Sequence, residues 1–101
     1  MIYIMQLIYI KEGKAQAFHQ FEDIAIPLIE KYNGKLLLRL RPGKDSFVDT
    51  NMGNPYEIQL VEFRSDDDFD DFMQDDERKR FLHLKEQSID SVVLIKGNKW
   101  P

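Results

Sequence analysis

The strand-like segments of this chain are apolar on both faces. Residues 1–10 place apolar side chains on one side at Ile2, Ile4, Ile8 and Ile10, and on the other at Tyr3, Met5, Leu7 and Tyr9. Between Val92 and Ile95, again, neither face is polar. A strand with this pattern is buried on both sides. Only two helical patterns occur, and they cover one face of a small sheet. We therefore expect a second copy of the chain to cover the other face.

Composition narrows the class of protein. At 101 residues the chain fits a single domain over residues 1–101. Hydrophobic residues make up 43% and charged residues 32%, which is typical of a globular protein rather than a disordered one. A net charge of -4 offers no basic field for nucleic acid. The lack of cysteine excludes disulfides, thiolate metal sites and cysteine nucleophiles.

The first residues follow a strand pattern rather than that of a signal peptide. The apolar runs are also shorter than the roughly 20 residues of a membrane-spanning helix. We therefore expect a cytoplasmic protein that does not interact with membranes.

The periodicity gives the order of the elements. Strand patterns cover residues 1–10, 35–41, 56–64 and 91–96. Helical patterns cover 18–32 and 65–88, and the second is expected to restart at Asp75-Asp76-Glu77 after a break and to continue through Phe81. Gly34 is placed to be a left-handed helix cap, and Ser65 with Asp68 has the spacing of a capping box. The order β-α-β-β-α-β predicts an α+β, ferredoxin-like fold, with an antiparallel sheet and both helices on one face.

Four short motifs occur in a characteristic order: Asn33-Gly34 followed by Arg39, Gly53-Asn54-Pro55, Val61-Glu62-Phe63, and Lys96-Gly97. In this order they resemble the dimeric α/β-barrel superfamily, and more narrowly a family of small bacterial proteins of unknown function within it. Arg78 stands where a tyrosine is common in that family, and Lys85 where an arginine is common. The resemblance implies a homodimer in which two ferredoxin-like sheets pack face to face.

The family has no assigned activity, so three function classes stay open. The first is a homodimer that binds a small, partly apolar anionic molecule, without a cofactor, in a cleft between sheet and helices. The second, implied by catalytic members of the superfamily, is a cofactor-free oxygenase, isomerase or cyclase acting on an aromatic or conjugated substrate. The third is a regulatory module that senses a ligand.

Two charged residues interrupt strands that are otherwise largely apolar, Arg39 and Glu62. A buried charge needs a partner, so these residues are the candidate site. In the ligand interpretation Arg39 holds an anionic group and Glu62 acts as base or acceptor, which also makes them the candidate catalytic pair. The alternatives are a structural ion pair, or two strand-end residues that reach solvent. Alternation places Arg41 beside Arg39 but leaves the face of Glu62 open. Tyr9 and Lys85 complete the predicted ligand-binding residues.

Other candidate chemistries are weaker. His19 and His83 lie on the helical patterns, and His19, with Glu22 beside it, is expected on the solvent side. Two distant histidines do not form a metal site. The acidic residues 66–77 lack the spacing of a calcium loop, so they indicate a solvated helix start. Residues 2–7 resemble the first strand of RNA-recognition domains, but residues 56–63 lack the basic and aromatic pattern for stacking bases. No metal and no nucleic acid are therefore expected.

Overall fold

The structure is a computed structural model, and it describes residues 1–100. Its strands and α-helices are β1 (Ile2–Ile10), α1 (Ala15–Leu28), β2 (Gly34–Leu40), β3 (Glu57–Phe63), α2 (Asp66–Met73), α3 (Asp76–Arg80), α4 (Leu82–Ser88) and β4 (Ile89–Gly97). The strands form one sheet in the order β2-β3-β1-β4, and every neighbouring pair is antiparallel. The predicted α+β, ferredoxin-like arrangement is confirmed.

The junction between α1 and β2 differs from the prediction. A 3-10 turn over Ile29–Tyr32 ends the helix, and the left-handed residue after it is Asn33, with φ of 60°, rather than Gly34. Gly34 is instead the first residue of β2. A Cβ atom at Gly34 would lie 2.6 Å from side-chain carbons of both Ile29 and Phe63. The glycine is therefore required because the backbone passes close to the core, not because the helix needs a left-handed cap.

The second helical segment starts where the sequence predicts and is then divided into three helices. The Ser65 hydroxyl accepts a hydrogen bond from the backbone N–H of Asp68 at 3.1 Å, so the predicted cap of α2 is confirmed. Asp75 caps α3 in the same way, accepting from the backbone N–H of Arg78 at 2.9 Å. A further break at Phe81 separates α3 from α4. The restart at Asp75 is therefore as predicted, whereas the expected continuity through Phe81 is wrong, and α3 and α4 are two short helices.

The inner face of the sheet packs against the helices. Its core cluster consists of Ile4, Ile29, Val61, Phe63, Phe69 and Phe72, each less than a tenth exposed. In β3 the buried residues alternate with half-buried ones along the whole strand. This alternation is expected where one face meets a core and the other does not.

The outer face carries two complete apolar rows across the four strands. The pairing registers place Leu38, Leu60, Met5 and Ile95 in one row, and Leu40, Ile58, Leu7 and Val93 in the next. Leu38 is 48% exposed and Ile95 is 51% exposed. The Cα atoms span only 16 Å in the thinnest direction, so the protein is a slab of one sheet and one helix layer. Nothing in the described chain covers the outer face.

Candidate functional site

A polar row interrupts the apolar inner face of the sheet. Gln59 of β3 lies between Gln6 of β1 and Arg39 of β2 in the pairing registers. Glu57, two residues before Gln59, shares its face and is fully buried. The inner face is therefore divided, with an apolar core at one end of β3 and polar side chains at the other.

A bulge in β2 brings Arg39 to this row. The register of β2 against β3 shifts between Leu36 and Leu38, so Leu37 is an extra residue in the ladder. Because side chains alternate along a strand, this insertion moves Leu38 to the outer face and Arg39 to the inner one. Strict alternation would place Leu36 and Leu38 on the same face, and the bulge places them on opposite faces.

A cavity of about 40 Å³ lies between the sheet and the helices. Its walls are mostly apolar, and the polar side chains that line it are Gln6, Glu22, Gln59, Arg78 and Lys85. A volume of this size accommodates only a few atoms. An apolar cavity with a few convergent polar groups is the usual form of a small-molecule site.

Glu22 is the acidic group of the cavity. It is only 6% exposed, and its Oε2 accepts a hydrogen bond from Nε2 of Gln59 at 2.9 Å. Burial raises the pKa of Glu22 to about 7, and the negative charge of Glu57 adds to this, whereas the Gln59 hydrogen bond opposes it. A carboxyl group with such a pKa both donates and accepts protons near neutral pH.

Arg78 is the principal cation of the cavity. It is 6% exposed, and its guanidinium carbon lies 5.6 Å from the ring centre of Phe21 and 5.3 Å from that of Phe72. One Nη atom donates to the backbone oxygen of Met73 at 3.3 Å. Its buried Nε makes no hydrogen bond with any of residues 1–100. An unpaired buried donor costs about 1–3 kcal/mol, so this atom requires an acceptor.

Lys85 adds a second positive charge. Burial, followed by the positive charge of Arg78, lowers the pKa of Lys85. None of the ion pairs among residues 1–100 joins Glu22 to Arg78 or to Lys85. Three ionisable groups thus converge on one cavity without pairing with one another. The arrangement can hold an anionic group between Arg78 and Lys85, with Glu22 available to exchange a proton with it.

The partner of Arg39 is Glu57, not Glu62. Nε of Arg39 lies 3.1 Å from Oε2 of Glu57, and Nε of Arg41 lies 2.8 Å from Oε1 of the same carboxylate. Glu62 lies on the outer face, paired in register with Tyr3 and Lys35. The structure therefore brings Arg39 and Arg41 together and separates both from Glu62.

The other predicted residues divide in the same way. Lys85 lines the cavity, whereas Tyr9 alternates with the buried Ile8 and lies on the outer face. The structure thus brings neither Tyr9 nor Glu62 to the cleft between sheet and helices, and a ligand role for these two stays a prediction.

The surroundings of α1 differ from the expectation. His19 is half-buried and its Nε2 lies 2.6 Å from the hydroxyl of Tyr56, so it does not face open solvent. Glu22 is buried, and its expected place beside His19 on the solvent side is wrong. His83 is exposed. Among residues 1–100 no three acidic or histidine side chains converge as metal ligands, and no helix there is long and apolar enough to span a membrane.

Sequence reasoning missed five site residues: Gln6, Glu22, Glu57, Gln59 and Arg78. The signal for two of them was present, because Glu57 and Gln59 share the period-two face of Val61 and Phe63. Glu22 likewise lies four residues after Phe18 on α1, hence on its apolar face. A polar residue on the apolar face of a strand or helix is therefore a more specific signal of a site than a charged residue whose face in the strand is unknown.

No protein-family model matches the chain, and no curated protein matches it. Several solved structures do. A protein of unknown function from Rhodopseudomonas palustris superposes with a TM-score of 0.83 at 13% identity, covering 99% of this chain and 82% of that one. An uncharacterised NIPSNAP domain protein from Burkholderia xenovorans gives 0.69 at 12% identity, covering 99% and 95%. A dimeric protein of unknown function with a ferredoxin-like fold, from Bacteroides fragilis, gives 0.70 at 11% identity, covering 97% and 95%.

Fold and comparisons together define the class. The chain is an α+β protein with the fold of ferredoxin-like proteins of unknown function. The predicted resemblance to such proteins is confirmed. At identities this low the similarity establishes the fold alone, so the function has to be argued from the site of this chain.

Proposed function

We propose that the protein is a cytoplasmic homodimer that binds a small, partly apolar anionic molecule in the cleft between sheet and helices. The observation that carries the binding proposal is the buried Nε of Arg78, which has no acceptor among residues 1–100. Lys85 supplies a second cation at the same cavity, and the apolar walls fit a hydrocarbon portion. A carboxylate satisfies both cations at once.

The cavity has to widen to hold such a ligand. At about 40 Å³ it has room for a head group, while a chain of several carbons needs more space. The helices that carry Arg78 and Lys85 have only five and seven residues, and they are separated by the break at Phe81. Binding of such a ligand therefore requires a small outward displacement of α3 and α4.

The dimer proposal depends on the outer face. Its two apolar rows cross all four strands, including the half-exposed Leu38 and Ile95. The accessible surface is 6740 Å², against about 6000 Å² for a typical monomer of this mass. This excess is consistent with a flat protomer whose outer sheet face is uncovered. One structural neighbour is described as dimeric, which supports the same assembly.

Thermal unfolding tests the ligand proposal. We expect hexanoate, but not its neutral analogue hexanamide, to raise the Tm of the wild type in a saturable manner. The variant Arg78→Met keeps an unbranched stem between the two phenylalanine rings but lacks the guanidinium, so its Tm should not respond to hexanoate. Lys79→Gln, at the exposed neighbouring position, is the matched control and should respond like the wild type. An equal response of the Arg78 variant, or of wild type to hexanamide, would contradict the proposal.

Light scattering after size exclusion tests the dimer. Met5 lies in the centre of the outer face and is 37% exposed, so Met5→Lys leaves the core intact while placing a charge in the interface. We expect the wild type at micromolar concentration to elute as a dimer and the variant as a folded monomer. Val48→Lys, in an exposed loop, should leave the dimer unchanged. A monomeric wild type would refute this part of the proposal.

A second candidate function is favoured by Glu22. Its pKa of about 7 and its place in the cavity suit a general acid–base in a cofactor-free isomerase or cyclase, with Arg78 and Lys85 stabilising an enolate oxygen. Levulinate carries both a carboxylate and a ketone, so exchange of its α-hydrogens in deuterium oxide, followed by NMR, tests this function. Catalysed exchange that Glu22→Gln abolishes would support an enzyme, and a rate equal to that of buffer would leave a binding protein. A regulatory sensing role stays a prediction, since it would use the same cavity.

A further inference from the structure

A second polar feature lies beside the cavity, at the open end of the inner face. It is a groove of about 300 Å³ lined by Arg39, Leu40, Arg41 and Glu57. The Glu57 side chain is fully buried, whereas those of Arg39 and Arg41 are 30% and 43% exposed. The groove therefore has a buried anion at its base and two cations at its rim.

The two arginines contact Glu57 in an unusual way. Each uses only its Nε, and each takes a different oxygen of the carboxylate, at 3.1 Å for Arg39 and 2.8 Å for Arg41. The Nη groups of both side chains make no hydrogen bond with any of residues 1–100. An arginine that serves only to pair with a carboxylate commonly uses two nitrogens in parallel. Glu57 thus contacts each guanidinium group only at Nε, and the Nη groups of both arginines are available to other acceptors.

The charges of the groove do not balance. One arginine would neutralise Glu57, but two are present, so the groove carries one surplus positive charge. Gln59 donates a third hydrogen bond to Glu57 from its Nε2 at 2.5 Å. Because Gln59 is uncharged, it leaves the surplus positive charge unchanged. Arg41 also lies over the ring of Tyr56, with 5.6 Å from its guanidinium carbon to the ring centre. Both cations are thus oriented, and among residues 1–100 Glu57 is the carboxylate that pairs with each of them.

We infer that this groove binds a monovalent oxyanion, a carboxylate or a phosphodiester, on the Nη groups of Arg39 and Arg41. Glu57 is the positioning residue that holds the two guanidinium groups apart and in place. A monoanion balances the surplus charge, whereas a dianion would leave a net negative charge above a buried carboxylate. The site is separate from the cavity and does not depend on the function proposed for it.

Arginine side-chain NMR tests the assignment directly. Spectra of ¹⁵N-labelled protein resolve Nε–Hε signals, so Arg39 and Arg41 report on the groove and Arg78 reports on the cavity. Acetate and dimethyl phosphate are titrated as probes at constant ionic strength, with chloride as the exchanged ion. We expect saturable shifts of Arg39 and Arg41, and any shift of Arg78 with acetate reports binding in the cavity and is fitted separately. Binding of acetate alone assigns the carboxylate as the ligand class, and binding of dimethyl phosphate alone assigns the phosphodiester.

Variants distinguish a built site from ordinary counter-ion binding. Arg41→Gln should weaken binding at least tenfold, and Arg41→Lys, which keeps the charge and protects the fold, should also weaken it. Arg64→Gln, at an exposed arginine just after β3, should bind like the wild type. Non-saturating shifts equal to those caused by chloride, or unchanged affinity in both Arg41 variants, would overturn the inference.

The role of Glu57 has a test of its own. If the net charge of the groove alone controls anion binding, removing the negative charge of Glu57 should strengthen that binding. If Glu57 orients the guanidinium groups, Glu57→Gln should instead weaken binding, because the Nε atoms lose their charged acceptor. Tighter binding by the glutamine variant would overturn the positioning role.

Discussion

Replacing Glu22 by glutamine should make the protein more stable at alkaline pH. Glutamine has nearly the same shape, and its side-chain oxygen can still accept the hydrogen bond from Gln59. It does not ionise, so it avoids the cost of a buried negative charge. The size of the effect follows from the pKa of Glu22, which is 4.5 for an ordinary glutamate and about 7 in the folded protein.

The sign of the effect follows from proton binding. Between pH 4.5 and about 7 the folded state keeps a proton on Glu22 that the unfolded state has lost, so the free energy of unfolding falls as pH rises. Each pKa unit is worth about 1.4 kcal/mol, so the whole penalty is about 3 kcal/mol above pH 7 and absent below pH 4.5. Glu22 is surrounded by the positive charges of Arg39, Arg78 and Lys85 and by the negative charge of Glu57. These four groups are the same in the wild type and the variant.

Urea unfolding between pH 4.5 and pH 8.5, at one fixed protein concentration, measures this difference. We expect the variant and the wild type to have similar stability at pH 4.5 and the variant to gain about 3 kcal/mol by pH 8.5. Asp23→Asn, an exposed carboxylate on the same helix, is the control and should show little pH-dependent gain. A stability difference between Glu22→Gln and wild type that does not change with pH would show that Glu22 does not carry a raised pKa in the folded protein.

Three further predictions concern the fold and the polar network. Gly34→Ala should lower the free energy of unfolding by about 1–3 kcal/mol or more in urea titrations, because the added Cβ lies 2.6 Å from two side-chain carbons; an unchanged midpoint would contradict this. Tyr32→Phe removes the hydroxyl that is the main cause of the low pKa of Asp75, about 2, so that pKa should rise towards 3.8 and acid unfolding should begin at higher pH. Gln59→Leu removes the hydrogen bond that lowers the pKa of Glu22, so ¹³C titration should place that pKa higher than in wild type; a lower value would contradict the network.

The fold was predictable because its signals are local and periodic. The first strand, the first helix and the Ser65 cap each depend on neighbouring residues, and each is present, although α1 ends at Leu28 rather than at Tyr32. Gly34 shows the limit of such reasoning. A glycine after a helix is compatible with a left-handed cap, but the requirement here comes from Phe63, a residue distant in sequence.

The site was less predictable because it depends on register. Whether Arg39 faces Glu57 or Glu62 is decided by one extra residue, Leu37, in the ladder between β2 and β3. A one-residue shift moves every later side chain to the other face, and no propensity reports it. The unpaired Nε of Arg78 could not be predicted either, because recognising it requires the positions of all possible hydrogen-bond acceptors in the folded chain.

The most direct test of the central claim is a native mass spectrum of the protein as purified from cells, under gentle desolvation. We expect the mass of two chains plus a discrete increment, and we expect the Arg78→Met variant to keep the dimer but lack the increment. The mass of one chain, or an unliganded dimer that also fails to take up hexanoate, would contradict a homodimer that binds a small anion between its sheet and helices.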